Sequence, residues 1–328
     1  MLGGLLSLLS AVSFAYANAT VRRGVLTGTV NQAVAISLVV ALPFFAMAMV
    51  VTGGLELLVT FRWNSLILLA LAGVIHFGWA RHCNYRATKA MGANLVAPVQ
   101  QYSLVLTLFL AIVWLGEGLT ALRILGIVLV VVGPALTLRD EPKGNGNGEA
   151  PRFQPNLAEG YFYALLSAVG FGISPILIVE AFQDKGLALG IAGGFVSYVA
   201  AAAAFALPLL RPAQWRALRA VDQVSAKWFV ISGLAVGVSQ MTRYMALAVA
   251  PVSVVAPISR LSLVFRLYFG AQINPDHEVF GGRVIWATAI SLLGALALSV
   301  STDFVLDGVP LPDAVGSILR WQIFGRSG

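Results

Sequence analysis

The stretch GWARHCNYRATKAMGANLVAPVQQYSLVL, residues 78–106, can be laid without a gap on GVSQMTRYMALAVAPVSVVAPISRLSLVF, residues 237–265, and matches it at about nine of roughly twenty-nine positions. The matches include Tyr85 with Tyr244, Ala87 with Ala246, Val96-Ala97-Pro98 with Val255-Ala256-Pro257, and Ser103-Leu104-Val105 with Ser262-Leu263-Val264. Glu117 then meets Glu278 after a two-residue insertion, and the same offset brings Gly126 onto Ala287 and Gly133 onto Gly294. Apolar composition aligns some leucines and valines by chance, but not Tyr, Pro, Ser and Glu in order. The chain is therefore read as two copies of one unit.

Composition says what that unit is made of. Of 328 residues, 59% are hydrophobic and only 11% charged, with a mean hydropathy of +0.86. Soluble domains carry roughly 25% charge, so this much apolar surface calls for a bilayer. A helix needs about 20 apolar residues to cross a hydrocarbon core of roughly 30 Å. Apolar runs fall at 2–18, 30–51, 65–80, 91–115 and 122–138, and again at 160–182, 187–210, 228–241, 251–271 and 284–300. Between the two sets lies Arg139-Asp140-Glu141-Pro142-Lys143-Gly144-Asn145-Gly146-Asn147-Gly148-Glu149, too polar and glycine-rich for hydrocarbon. The predicted fold is all-α and integral to the membrane, with ten transmembrane helices arranged as two inverted five-helix repeats. The first repeat covers 1–138, a polar linker 139–158, the second repeat 159–301 and a short C-terminal tail 302–328, in which 318–324 is expected at the membrane interface.

The inversion follows from parity. Five crossings are an odd number, so the second copy enters the membrane from the opposite side to the first. Inverted repeats enclose a cavity near the bilayer midplane, and exchanging the conformations of the two copies switches the side to which it opens. Duplication and parity thus point to alternating access and to a small-molecule substrate.

Charge and cysteine usage exclude other classes. The pI near 9.9 and net charge of +7 are carried by basic residues spread thinly at the ends of apolar runs, which suits headgroups and topology rather than nucleic acid. One cysteine, Cys83, allows no internal disulfide and no cysteine-built metal cluster. The three histidines, His76, His82 and His277, lack metal-ligand spacing, and neither His-Glu-x-x-His nor Gly-x-Ser-x-Gly occurs, so an integral membrane enzyme is disfavoured and no cofactor or metal is expected. The N-terminal run ends in Ala15-Tyr16-Ala17, like a cleavage site, but Leu8-Leu9-Ser10-Ala11-Val12 recurs as Leu165-Leu166-Ser167-Ala168-Val169; the first helix is expected to stay in the mature protein.

Tyr85-Arg86-Ala87-Thr88-Lys89 running into Val96-Ala97-Pro98, then Leu115-Gly116-Glu117 and closing Gly126 and Gly133, resembles the EamA domain of the drug/metabolite transporter (DMT) superfamily. Two such domains would cover nearly the whole chain. The resemblance implies a central cavity lined by the first, third and fourth helices of each half, with the fifth and tenth outside it. It also makes Asn18 and Ser174, beside Pro175, cavity candidates. The second copy departs from the pattern where Asn274-Pro275-Asp276-His277-Glu278 replaces a plain Leu-Gly-Glu turn.

Among candidate substrate-binding residues, Arg260 stands out. It lies near the middle of the ninth span, where insertion scales charge an arginine about 2.5–3.5 kcal/mol. Its fork of donors suits a carboxylate or phosphate, and an internal ion pair is the alternative. In the repeat alignment it falls on Gln101. Gln100, Gln101 and Tyr102 follow Pro98 as Ser259 and Arg260 follow Pro257, and a proline can open a helix where it lines a cavity. Arg266 is about 120° around a helix from Arg260 and is expected to snorkel or pair. Glu180 is a candidate for proton coupling, with an interfacial acid or a partner for Arg243 as the alternative. His76 titrates in a useful range but without a second ligand is more often a packing residue. Glu117 and Glu278, at loop turns, are expected to cap helices or fix the halves rather than meet substrate.

These features predict a secondary transporter of a small metabolite in a plasma or bacterial inner membrane, the solute being an anion or zwitterion held by Arg260. Efflux of lipophilic drugs, lipid translocation or a structural subunit are the rivals, and a homodimer is an assembly the sequence allows. Loops on the side of the linker hold about thirteen Lys and Arg against about six on the other, which puts the linker in the cytoplasm, whereas the family resemblance implies cytoplasmic termini.

Overall fold

The computed structural model describes residues 2–115, 120–136, 153–182, 186–250, 255 and 258–299. The 139–152 part of the linker, the tail, Glu117, Asp184, Lys185 and Pro257 lie outside the described residues. What is described is all-helical: α1 (Leu2–Gly24), α2 (Val30–Val51), α3 (Trp63–Met91), α4 (Ala93–Val99), α5 (Tyr102–Leu115), α6 (Ala121–Ala135), α7 (Leu157–Ala181), α8 (Leu187–Leu209), α9 (Pro212–Arg219), α10 (Gln223–Val249), α11 (Ser262–Ile273) and α12 (Gly282–Ser299). Seven segments are long and apolar enough to cross a membrane by length and composition; α6 and α12 are shorter apolar helices. The chain is a multi-pass membrane protein.

Local chemistry sets the helix starts. Thr29 accepts from the Gln32 amide at 3.3 Å while Gln32 Oε1 accepts from the Thr29 amide at 2.9 Å, a capping box opening α2. Asp222 caps α10 through the Ser225 amide at 2.9 Å, and Asn156 caps α7 through that of Glu159 at 3.2 Å. The basic helix α9, with Arg219 stacked on Trp215 at 4.7 Å, is wholly outside the core and suits the headgroup layer.

Two helices outrun their apolar windows. The third run was expected to stop at Ala80, yet α3 continues to Met91 because the polar residues that end the run, Arg81, Asn84 and Thr88, are turned inward and buried. Likewise α10 spans Gln223–Val249, beyond the expected 228–241, with Ser225, Thr242 and Tyr244 buried. Within α3 a π-helical stretch, Val74–Ala80, carries His76; such widened turns are frequent at functional sites.

The tightest packing joins α1 to α10. Ser225, Ser232 and Ser239 recur every seven residues and face Gly24, Ala17 and Ser10, which recur at the same period in the opposite direction. Their hydroxyls donate to the facing carbonyls at 3.1, 2.8 and 2.9 Å, and Ser10 Oγ donates in turn to the Ser239 carbonyl at 2.8 Å. Small residues at heptad spacing let two backbones approach in lipid, where van der Waals contact and hydrogen bonds drive association. Gly126 and Gly133 bring α6 equally close to Gly294 and Ser291 of α12.

The packing partners come in matched pairs. α1 packs on α10 and α11 as α7 packs on α3 and α5; α2 packs on α10 as α8 packs on α3; α2 meets α8, and α6 meets α12. Exchanging the two halves leaves this set of contacts unchanged.

Candidate functional site

Between these helices lies a cavity of about 410 Å³. α1 contributes Ser10 and Phe14, α3 His76, α5 Ser103 and Thr107, and α7 Phe171, Pro175 and Glu180. α10 contributes Ser239, Gln240 and Arg243. Two interrupted segments complete the wall. The fourth span breaks at Gln100 and Gln101, after Pro98, and the ninth turns at Arg260 and Leu261 before α11 resumes. Irregular backbone at this depth is tolerated where it lines a cavity. The described walls come from α1, α3, the stretch from Gln100 into α5, α7, α10 and the stretch leading into α11, and among the described residues neither α6 nor α12 supplies one.

Three arginines reach this space. Arg260 Nη1 donates to Gln101 Oε1 at 3.4 Å and its buried Nε has no partner. Arg266 is 3% exposed, has neither Nε nor Nη1 bonded, and lies over the Phe14 ring at 4.9 Å. Arg243 Nη1 lies 3.5 Å from His76 Nε2, while His76 Nδ1 lies 2.7 Å from Ser174 Oγ. A guanidinium only donates, so Nε2 is the acceptor and Nδ1–H donates to Ser174, which holds the ring facing Arg243. Among the described residues no carboxylate lies within 4 Å of any of the three. Glu180, an exposed residue of α7, is the acid on the described wall.

The sequence-derived candidates divide as follows. Arg260, Gln100, Gln101, Ser259, His76 and Glu180 all line the cavity. Ser174 is one layer behind, bonded to His76. Asn18 does not reach the cavity: it lies in an adjoining small pocket with Asn84 and Arg81, receiving a bond from Asn84 at 3.1 Å. Tyr102 is a correction, since its hydroxyl turns outward to donate to the Val131 carbonyl of α6 at 3.2 Å; the helix restarts at Tyr102 and redirects it away from Gln100 and Gln101. Arg266 is a second correction in part, for it is buried rather than snorkelling, and among the described residues it has no ion pair within 4 Å, although it feels the charge of Glu278. A 120° offset holds only on an unbroken helix, and the turn at Arg260 and Leu261 breaks it. Among the described residues Arg243 has no carboxylate within 4 Å. It was missed as a wall residue because the eighth run was ended at Met241, two residues short of it.

The far end of the bundle is sealed by a polar cluster. Arg22, at the end of α1, is 1% exposed and donates to the carbonyls of Thr88 at 3.0 Å, Lys89 at 2.9 Å and His277 at 2.7 Å. Glu278 accepts from the amides of Ala93 at 2.7 Å and Asn94 at 3.0 Å, with Arg22 Nε at 3.8 Å. Burial pushes the Glu278 carboxyl above the ordinary carboxylate range, opposed by the Arg22 charge and by the two amides. Gly92, at φ +87°, turns the chain into α4 here, and a Cβ would meet Glu278 Oε2 at 2.6 Å. Asn274 Nδ2 donates to the Ala19 carbonyl at 2.8 Å. Glu278 thus caps a helix and ties the halves, as its turn placement suggested. The cavity, by contrast, lies toward the face where α1 begins and α7 and α10 end.

Among the described residues no group of three or more His, Cys, Asp and Glu could hold a metal ion. Residues 1–139 match the model of the EamA-like transporter family. The first half is therefore similar to an EamA domain, the resemblance its motifs carry. No curated protein matches the chain. Solved structures do, and one, described simply as "Crystal structure of protein", has 17% identity over 90% of this chain and 94% of its own, with a TM-score of 0.54. At that identity the likeness is one of fold alone.

Proposed function

We propose that this chain is a secondary transporter, and not an enzyme, that moves a small anionic or zwitterionic metabolite across a plasma or bacterial inner membrane by alternating access. In this reading residues 1–138 and 159–301 are two inverted five-helix repeats, ten helices in all. The interchangeable packing pairs support it, as does the direction of the helices: α1 runs antiparallel to α10, while α7 runs antiparallel to α3. The sealed cluster at Arg22 and Glu278 and the cavity at the opposite end fit a state open to one face.

The observation that carries the substrate class is Arg260, a guanidinium on the cavity wall with a neutral amide as its bonded partner and one donor free. An arginine this deep is on a pathway more often than not. Gln100, Gln101 and Ser259 supply neutral donors and acceptors around it, His76 faces Arg243, and Glu180, exposed on the same wall, is the carboxylate assigned to coupling in this reading. A carrier of lipophilic cations would line the same space with acids.

Thermal unfolding of the purified protein tests this. A ligand that binds the folded state raises its apparent stability by mass action. Carboxylates or phosphates should raise the midpoint in the wild type and fail to do so in Arg260→Ala. Stabilisation by cations alone, undiminished in Arg260→Ala, would remove the anion site and leave Arg260 a structural residue.

A further inference from the structure

The wall is more positive than one anion needs. Arg243, Arg260 and Arg266 bring three charges against the single exposed carboxylate of Glu180, which leaves two uncompensated positive charges among the described wall residues. The three lie close enough to act on one another, Arg260 feeling Arg243 and Arg266 feeling Arg260. Like charges held together demand a counter-charge; Glu278 acts on Arg266 from beyond ion-pair distance and is already engaged by Arg22 and two amides, and among the described residues no carboxylate lies within 4 Å of the three.

Packing does not require these arginines. At the offset that aligns residues 78–106 with 237–265, Arg243 stands on Asn84 and Arg260 on Gln101, and one residue further Arg266 stands on Thr107. In the first half those neutral side chains complete their bonds within the bundle. Asn84 bonds Asn18 and Gln100, Gln101 bonds the Ala97 carbonyl, and Thr107 bonds the Ser103 and Gly172 carbonyls. The same helical positions can thus be built without charge, and the charge is confined to one half. Arg266 is the sharper witness, since it is buried, lines the cavity and leaves two donor nitrogens unbonded.

We infer that the cavity takes a doubly negative oxyanion, a dicarboxylate or a phosphate monoester, held jointly by Arg243, Arg260 and Arg266 with its apolar part against Phe14 and Phe171. The inference rests on the transport of anions proposed above and narrows it. A monoanion leaves one wall charge unmatched when the cavity closes around it, while a dianion matches both. Free dianions and the doubly charged headgroup of phosphatidic acid share this chemistry.

The test uses the full chain in detergent at pH 8 and constant ionic strength, with succinate and inorganic phosphate as dianions, acetate and butyrate as monoanions, and phosphatidic acid in mixed micelles as the lipid arm. Dianions should bind at least about tenfold more tightly than monoanions, from the extra charge alone. Arg266→Gln and Arg243→Gln should each cut that preference to about threefold or less by removing one matched charge. Both variants should fold, because each replaces a charge that has no carboxylate within 4 Å among the described residues with a neutral side chain of the kind the first half carries. A raised midpoint of the empty Arg266→Gln protein would be the independent sign that its charge is uncompensated, and an unchanged or lowered one would count against it. Stabilisation by succinate or phosphate names a soluble solute, and stabilisation by phosphatidic acid alone names a lipid. Equal binding of acetate and succinate, both lost in Arg260→Ala, would overturn the dianion while leaving anion transport standing. No response to any anion would overturn both.

Discussion

Removing Glu278 should open the sealed end of the bundle at a calculable expense. Its side chain is fully buried, takes the first two amides of α4 and faces Arg22 at 3.8 Å. In Glu278→Ala the Arg22 guanidinium keeps its carbonyl partners but loses its counter-charge, and the amides of Ala93 and Asn94 lose their acceptor. Breaking a buried pair by deleting one partner costs about 3–5 kcal/mol, and a stranded buried donor about 1–3 kcal/mol. These overlap because one carboxylate serves all three groups, so about 4 kcal/mol is expected in total rather than the sum. Glu278→Gln retains one acceptor oxygen and should cost about half of that, roughly 2 kcal/mol. The assay is reversible unfolding in mixed SDS and detergent micelles, with Arg22→Met and the double variant completing a cycle whose coupling should be about 1–3 kcal/mol. Glu278→Ala within about 0.5 kcal/mol of the wild type, the range of ordinary surface changes, would refute the reasoning.

Two other expectations follow from the packing and the caps. Ser232→Leu places a branched side chain where α1 and α10 approach at Ala17 and should destabilise by about 1–3 kcal/mol in the same unfolding assay, whereas Ser232→Ala, losing one interhelical bond, should cost about 0.6 kcal/mol. The bonds Asp222 accepts from Ser225 hold its carboxyl below the ordinary value of 3.8, so its contribution is present above that pH and is lost as pH falls through the folded value; a titration to acid should show this loss in the wild type and not in Asp222→Ala.

Much of the architecture was legible in the chain. The apolar run 30–51 coincides with α2, and the duplication around Pro98 marked where the fourth span would break. Hydropathy failed where polar side chains face inward: Arg81, Asn84 and Thr88 read as the end of a span because a window cannot tell a buried polar stripe from a loop. The same blindness ended the eighth run before Arg243. The repeat alignment held the missing signal, since it already placed Arg243 on Asn84 inside the matched block. The serines at 225, 232 and 239 were legible as a period of seven, but only beside their counterparts at 10, 17 and 24, which required knowing which helices meet. The outward turn of Tyr102 and the inward reach of Arg266 depend on backbone breaks whose direction no residue pattern specifies.

The most direct test of the central claim is counterflow in proteoliposomes. Vesicles loaded with unlabelled succinate and diluted into labelled succinate should accumulate label above protein-free vesicles, and Arg260→Ala should abolish the accumulation. Uptake that is unaltered in Arg260→Ala, or no uptake of any anion by a protein that is folded and inserted, would contradict it.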